Sequence, residues 1–365
     1  MAKRRARTPP QVEEGAPLAS LTTLEVGGPA RYLARCRSSL ELEECLLWAR
    51  TMELPVFVLG GGSNLLVADT GFDGLVIQLV DGSIELEPRG ERVRVKVDAG
   101  VEWDTLVERT VAAGLAGLEC LSGIPGRVGA APMQNVGAYG QEVAETIAEV
   151  RAVELATGAE RRLPGDRCGF GYRTSRFKGS WRGRYAVTRV DFLLPCRSAG
   201  TVRYPELRRH LGISGDDPSP SLAEVRAAVL EVRRGKSMVI EPGDPNRRSA
   251  GSFFTNPVVA PEVAETVRRR SAGEMPAFPA PGGLIKLSAA RLIEEAGFSR
   301  SDRLGRAALS SRHVLALVNR GGATAAELIA LAAQVRAGVR AAFGVTLQPE
   351  PTFLGFDRDA DALLG

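Results

Sequence analysis

Residues 123–140 read GIPGRVGAAPMQNVGAYG. Gly123, Gly126, Gly129, Gly137 and Gly140 stand among small alanines at 130, 131 and 138. So much glycine rules out an ordinary helix or strand, because each one loses the most backbone entropy on ordering. The run reads as backbone brought close to something large and flat, with the Gln134 and Asn135 amides available for hydrogen bonds. A second run, Gly60-Gly61-Gly62-Ser63-Asn64, follows directly on the apolar Val56-Phe57-Val58-Leu59. Two glycine loops, one straight after a strand, point to a dinucleotide whose phosphates rest on backbone N–H groups.

The bulk properties narrow the class. A chain of 365 residues can bury a large core and is expected to hold two or three domains. A net charge of +4 is small for that length and argues against a dedicated nucleic-acid binder. No apolar run reaches the about 18 residues of a membrane-spanning helix, so no membrane insertion is expected. The basic N-terminus MAKRRARTPP has no apolar stretch behind it and reads as a solvated leader rather than a secretory signal. Cys36, Cys45, Cys120, Cys168 and Cys196 are odd in number and contain no Cys-x-x-Cys pair. Neither a metal site nor a disulfide framework is indicated, and reduced thiols fit a cytoplasmic protein.

Along the chain, Ser38-Ser39-Leu40-Glu41 is a capping-box pattern that opens a helix to about residue 50. Strands are expected at 56–59 and 75–79, a hairpin about Arg89-Gly90, a helix at 103–113, and a hairpin about Thr157-Gly158. Beyond Tyr204 the texture changes. Residues 221–234, 261–270 and 323–343 have helical periodicity, with strand-like 252–259 and 314–319 between them. Asp216-Asp217-Pro218-Ser219-Pro220 marks a linker-like break. The expected fold class is α+β. The expected layout is a disordered leader at 1–18, a cofactor domain at 19–205 (subdomains 19–82 and 83–205), a second domain at 206–355, and a tail at 356–365.

Several ordered motifs resemble one family. They are Thr23 with Gly27-Gly28, residues 60–64 and 123–140, Gly171-Tyr172-Arg173, residues 250–257 (AGSFFTNP) and Gln348-Pro349-Glu350. Together they resemble the UDP-N-acetylenolpyruvoylglucosamine reductases, flavoenzymes of peptidoglycan precursor synthesis, over almost the whole chain. The resemblance implies an FAD-binding domain of the vanillyl-alcohol-oxidase type, followed by a smaller αβ substrate domain. It implies FAD, NADPH as hydride donor, and UDP-N-acetylglucosamine enolpyruvate as acceptor. Neither histidine, His210 nor His313, lies near a glycine loop, so the FAD is expected to be noncovalent.

The chemistry makes demands of its own. Hydride addition to an enolpyruvyl double bond pushes negative charge onto the conjugated carboxylate, which needs a cation or strong donors already aimed at it. The carbon beside that carboxylate then needs a proton from a positioned acid. By resemblance Arg173 faces the substrate carboxylate, Ser252 donates the proton, and Glu350 helps to polarise substrate or donor. Taken singly, each is commoner as a surface arginine, a turn serine and an exposed loop carboxylate. The cofactor would lie on Gly60, Gly61, Gly62, Ser63, Asn64, Gly123, Ile124, Pro125, Gly126, Gly129, Gln134, Asn135, Gly137, Ala138 and Tyr139. Tyr172 and Tyr204 would line the substrate pocket, Lys236 would pair with the diphosphate, and Asn256 would meet the uridine or the sugar.

Thr22, Leu24, Arg291, His313 and Thr352 depart from common family residues, but none removes a proposed catalytic group. Two other functions compete: an oxygen-using flavin oxidase of the same superfold, and a noncatalytic flavin-binding module. A monomer with no nucleic-acid partner is expected.

Overall fold

A computed structural model describes residues 11–214, 217 and 219–365. The chain divides into two compact units. The first comprises residues up to Ala16, Ala30–Gly61 and Asp73–Arg233; the second comprises Pro17–Pro29, Gly62–Phe72 and Arg234–Gly365.

The first unit is built on two sheets. One has four strands in the order Glu13–Pro17, Pro29–Cys36, Phe72–Leu79, Val56–Leu59. Its last two strands are parallel, with Val56 opposite Leu75 and Leu59 opposite Gln78. The helix Ser39–Thr51 starts where the capping pattern places it, with the Ser38 hydroxyl accepting from the Glu41 N–H. It buries Leu42, Cys45, Leu46 and Ala49 in a cluster with Ala34, Leu75 and Ile77.

The other sheet is antiparallel, in the order Glu160–Pro164, Ile147–Glu154, Tyr185–Pro195, Arg92–Asp98, Ile84–Arg89. Both predicted hairpins belong to it. Their turns carry Gly90 and Gly158 at φ 64° and 74°, conformations that glycine adopts without a Cβ clash. Val95, Val97, Val150, Val190 and Phe192 bury with Trp103, Leu106 and Val107 of the helix Trp103–Ala112.

The second unit holds an antiparallel sheet ordered Ser249–Ser252, Ala316–Asn319, Ala307–Leu309, Arg303–Leu304. A three-stranded sheet is ordered Val258–Val259, Leu284–Leu287, Ala277–Ala280. The helix Ala325–Phe343 carries Leu328, Leu331, Val335 and Val339 into a core with Phe253, Phe254, Leu292 and Ile293. Thr324 and Glu327 form a reciprocal capping box at its start, and Gly344 closes it in the left-handed region. The Asp69 carboxylate accepts from the Ala325 and Ala326 N–H groups at 2.8 and 3.0 Å, placing negative charge at the positive end of the helix.

Four expectations about organisation need correction. The leader predicted for 1–18 ends early: Glu13–Pro17 is a strand, and Ala16 and Leu18 are buried. Residues 1–10 and 215 lie outside the described residues, as do 216 and 218 of the predicted linker. The predicted boundary at 205/206 is displaced. Leu207, Val225, Ala228 and Val229 bury against Cys120, so the helices Pro205–His210 and most of Leu222–Gly235 belong to the first unit. The predicted strand 252–259 is two short strands, Ser249–Ser252 and Val258–Val259, with Pro257 between them. Finally, the tail at 356–365 ends in the helix Ala360–Leu364, with Leu364 buried and Asp361 held by Arg336 at 2.6 Å. Among the described residues no helix is long and apolar enough to cross a membrane.

Candidate active site

The long glycine run is fastened to the backbone of 99–103. The Val128 and Gly129 N–H groups donate to the Val101 and Ala99 carbonyls, and the Trp103 N–H donates to the Gly126 carbonyl. Gly61 of the first run lies directly on Gly126 of the second. A Cβ at 61 would come within 2.6 Å of the Gly126 Cα, and one at 129 within 2.6 Å of the Ala99 Cβ. The two runs therefore meet backbone to backbone. The result is closely packed main chain with no side chain between the runs at 61 and 126, the kind of backbone on which a phosphate-bearing cofactor can rest.

Part of the run also pairs with itself. Gly137-Ala138 pairs with Gln141-Glu142 as a miniature hairpin. Its two-residue turn has Tyr139 at φ 48° and Gly140 at φ 84°, the mirror-image turn that matches strand twist. A Cβ at 137 would meet Glu142 Cγ at 2.8 Å, the Gln141 carbonyl at 2.9 Å and Arg173 Nη1 at 3.1 Å. Gly137, expected on the cofactor, makes room for the protein's own side chains.

Arg173 sits in a tight turn. Gly171 and Thr174 exchange both backbone hydrogen bonds, at 3.0 and 3.2 Å. Arg173 takes φ 52°, a costly region for a long side chain and one that clusters at functional sites. Its Nη2 donates to the Gly137 carbonyl at 2.6 Å, and its guanidinium lies 5.4 Å from the Tyr172 ring centroid. A cation is thus held in place beside the glycine run.

Ser252 and Glu350 come together in the second unit. The strand Ser249–Ser252 pairs with Ala316–Asn319 across an irregular register, with Gly251 at φ 73° forming a bulge. The Phe253 carbonyl then accepts from the Glu350 N–H at 2.8 Å, and Phe254 bridges Pro349. Ser252 is half-buried, as is Glu350. Asn64 Nδ2 donates to the Glu350 carbonyl at 3.3 Å, and the Asn64 carbonyl accepts from Thr352 at 2.9 Å. Asn64, expected on the cofactor, thus also braces the Glu350 segment.

Tyr204 packs edge-to-face on Tyr139 with centroids 5.6 Å apart. Burial pushes the Tyr139 hydroxyl up to about 12, so it stays neutral. Lys236 is half-buried in the second unit. Asn256 is committed in part, because its Oδ1 accepts from the Ala289 N–H at the start of the helix Ala289–Glu295. Gly60, Gly61, Ile124, Pro125, Gly126, Gln134 and Ala138 lie in the first unit, and Gly62, Ser63 and Asn64 in the second.

One brace was not anticipated from sequence. Asp104 accepts from the Gly123 N–H at 2.6 Å and takes a two-point ion pair from Arg226 at 2.7 and 2.8 Å. Burial alone would raise this carboxyl, but the Arg226 guanidinium and the Gly123 amide outweigh it and hold it below its ordinary value. Only the place of Asp104 in the first turn of a helix hinted at an N–H partner.

Residues 30–163 match the family described as FAD binding domain. Fold and glycine loops thus define an FAD-binding protein of mixed α/β structure. Residues 244–354 match the family described as UDP-N-acetylenolpyruvoylglucosamine reductase, C-terminal domain. The chain is 49% identical over 350 residues to the UDP-N-acetylenolpyruvoylglucosamine reductase of Thermobifida fusca, covering 93% of this chain and 97% of that one. It is 45% identical over 359 residues to that of Streptomyces coelicolor, covering 96% and 92%. The crystal structure of the Thermus caldophilus reductase matches with a TM-score of 0.65 at 30% identity, covering 94% of this chain and 99% of that one. The chain belongs to the UDP-N-acetylenolpyruvoylglucosamine reductase family.

Proposed function

We propose that this chain reduces UDP-N-acetylglucosamine enolpyruvate to UDP-N-acetylmuramate, with NADPH as the reductant and FAD held noncovalently. It works in the cytoplasm as a monomer, in the synthesis of peptidoglycan precursors. Bound FAD supplies the hydride that adds to the enolpyruvyl methylene carbon. The backbone of residues 60–64 and of 123–126 would hold it, with Gly129, Gln134, Ala138 and Tyr139.

The observation that carries this reading is the restrained Arg173 guanidinium, a preset cation of the kind a developing enolate requires. Arg173 binds the substrate carboxylate and takes up the charge that arrives there. Ser252 protonates the carbon beside the carboxylate, and Glu350 polarises the substrate or the donor. Tyr172 and Tyr204 line the substrate pocket, Lys236 pairs with the diphosphate as a point charge, and Asn256 meets the uridine or sugar.

The test is spectroscopic. The purified protein should be yellow, bleach with NADPH without oxygen, and recover its colour on adding the enolpyruvyl sugar nucleotide. Rapid recovery in air alone would instead favour an oxidase. Flavin bound but never bleached by NADPH would favour a noncatalytic module.

A further inference from the structure

Asn135 stands in the glycine run and was expected among the cofactor ligands, yet its side chain is spent on the protein. Nδ2 donates to Glu142 Oε2 at 2.7 Å and to the Gly171 carbonyl at 3.0 Å, and Oδ1 accepts from the Ala144 N–H at 3.0 Å. Both donors and one acceptor site are therefore used. The residue is 1% exposed and sits at φ 52°. That strained backbone needs surrounding contacts to persist, and these three bonds provide them.

The partner at Gly171 is the informative one. Its carbonyl closes the turn with Thr174, and the turn carries Arg173. Arg173 in turn donates to the carbonyl of Gly137, two residues beyond Asn135. The two bonds form a closed clasp between the glycine run and the arginine turn, one running each way. Without the Asn135 amide the Gly171 carbonyl loses one of its two partners, and the turn stays tied to the run by the Arg173 guanidinium on the Gly137 carbonyl and, one residue past Thr174, by the Ser175 hydroxyl on the Met133 carbonyl.

We infer that Asn135 is a positioning residue for Arg173: it sets the turn through the Gly171 carbonyl and so aims the guanidinium, and it is not a flavin ligand. This rests on the reading of Arg173 as the cation that meets the substrate carboxylate.

Three variants of the holoenzyme test it, with the two half-reactions followed by flavin absorbance without oxygen. Asn135→Asp sets a carboxylate against Glu142 and loses both donated bonds. In Asn135→Asp/Glu142→Gln the amide at 142 restores the pair with residue 135, but the Gly171 carbonyl still lacks its donor. The double variant should regain most of the thermal stability lost in the single one. NADPH should bleach its flavin at close to the unmodified rate, and apoprotein should take up FAD with unchanged affinity. Reoxidation by saturating enolpyruvyl substrate should stay slower by about tenfold to a hundredfold, the scale of a small misplacement of a reacting group. Asn135→Gly suits φ 52° without the amide and should show the same selective slowing if the aspartate variants do not fold. Unimpaired reoxidation in the double or glycine variant, or a large loss of FAD affinity, would overturn the inference. Arg173→Ala separates the two layers. If it leaves reoxidation untouched, the reading of Arg173 fails; if it slows reoxidation while the Asn135 variants do not, only the positioning role fails.

Discussion

At the scale of single residues, the glycines prove to serve more than one neighbour. Gly61 is bare because Gly126 lies on it, Gly129 because Ala99 does, and Gly137 because Glu142, Gln141 and Arg173 need the space. A methyl group at 137 would displace the Glu142 side chain and the Gln141 carbonyl, and with them the Arg173 bond. Gly137→Ala is expected to cut substrate-dependent turnover about tenfold or more while FAD still binds. Steady-state kinetics beside flavin titration checks this. Ser252→Ala should leave bleaching by NADPH intact and slow reoxidation by substrate by about a hundredfold or more, within the usual worth of a positioned acid. Stopped-flow absorbance reads both halves, and unimpaired reoxidation would remove Ser252 from the proton-donor role.

Elements are held by carboxylates placed at helix starts. Asp69 caps the helix Ala325–Phe343, and Asp69→Ala should cost about 1 kcal/mol of stability, measured by denaturant unfolding. Asp104 does comparable work between Gly123 and Arg226. Asp104→Asn should cost about 1.5 to 3 kcal/mol at neutral pH, the range for hydrogen bonds to charged groups. The carboxyl is held below its ordinary value in the folded state. Its contribution is therefore complete above the unfolded pKa of about 4 and is lost as pH falls through the folded value. The stability gap between the two proteins should accordingly narrow on acidification below about pH 4, and a gap that stays constant would contradict the assignment. The helix Ser39–Thr51 was legible because Ser38 with Glu41 is a local signal, and the helix Ala325–Phe343 because its apolar residues recur with helical period. Asp104 was not, because Arg226 reaches it from a distant part of the sequence.

For the whole molecule, the C-terminus belongs to the core of the second unit. Leu364 is buried, and Asp361 neutralises Arg336, itself only 5% exposed. Removing residues 356–365 should destabilise that unit by about 2 to 4 kcal/mol, through one lost leucine burial and one stranded buried cation. A melting temperature unchanged by the truncation would restore the sequence expectation of a passive tail. The division into units also runs differently from the expected one at 205/206. Segments Pro17–Pro29 and Gly62–Phe72 group with the C-terminal residues, and Thr352–Leu354 pairs in parallel with Leu65–Val67. No local pattern announces such a pairing, because a strand pairs through backbone N–H and C=O groups that every residue but proline carries alike.

The sequence alone determined the mixed α/β class, the capped helix Ser39–Thr51, both hairpins, the two glycine loops and the family. Each of these rests on neighbouring residues or on motifs whose order survives in one dimension. Only the tertiary structure decided what each glycine gives way to, that Asn135 clasps the Arg173 turn, and that Glu350 hangs from the strand carrying Ser252. Those outcomes depend on hydrogen bonds between residues far apart in the chain, and a one-dimensional pattern carries no distances.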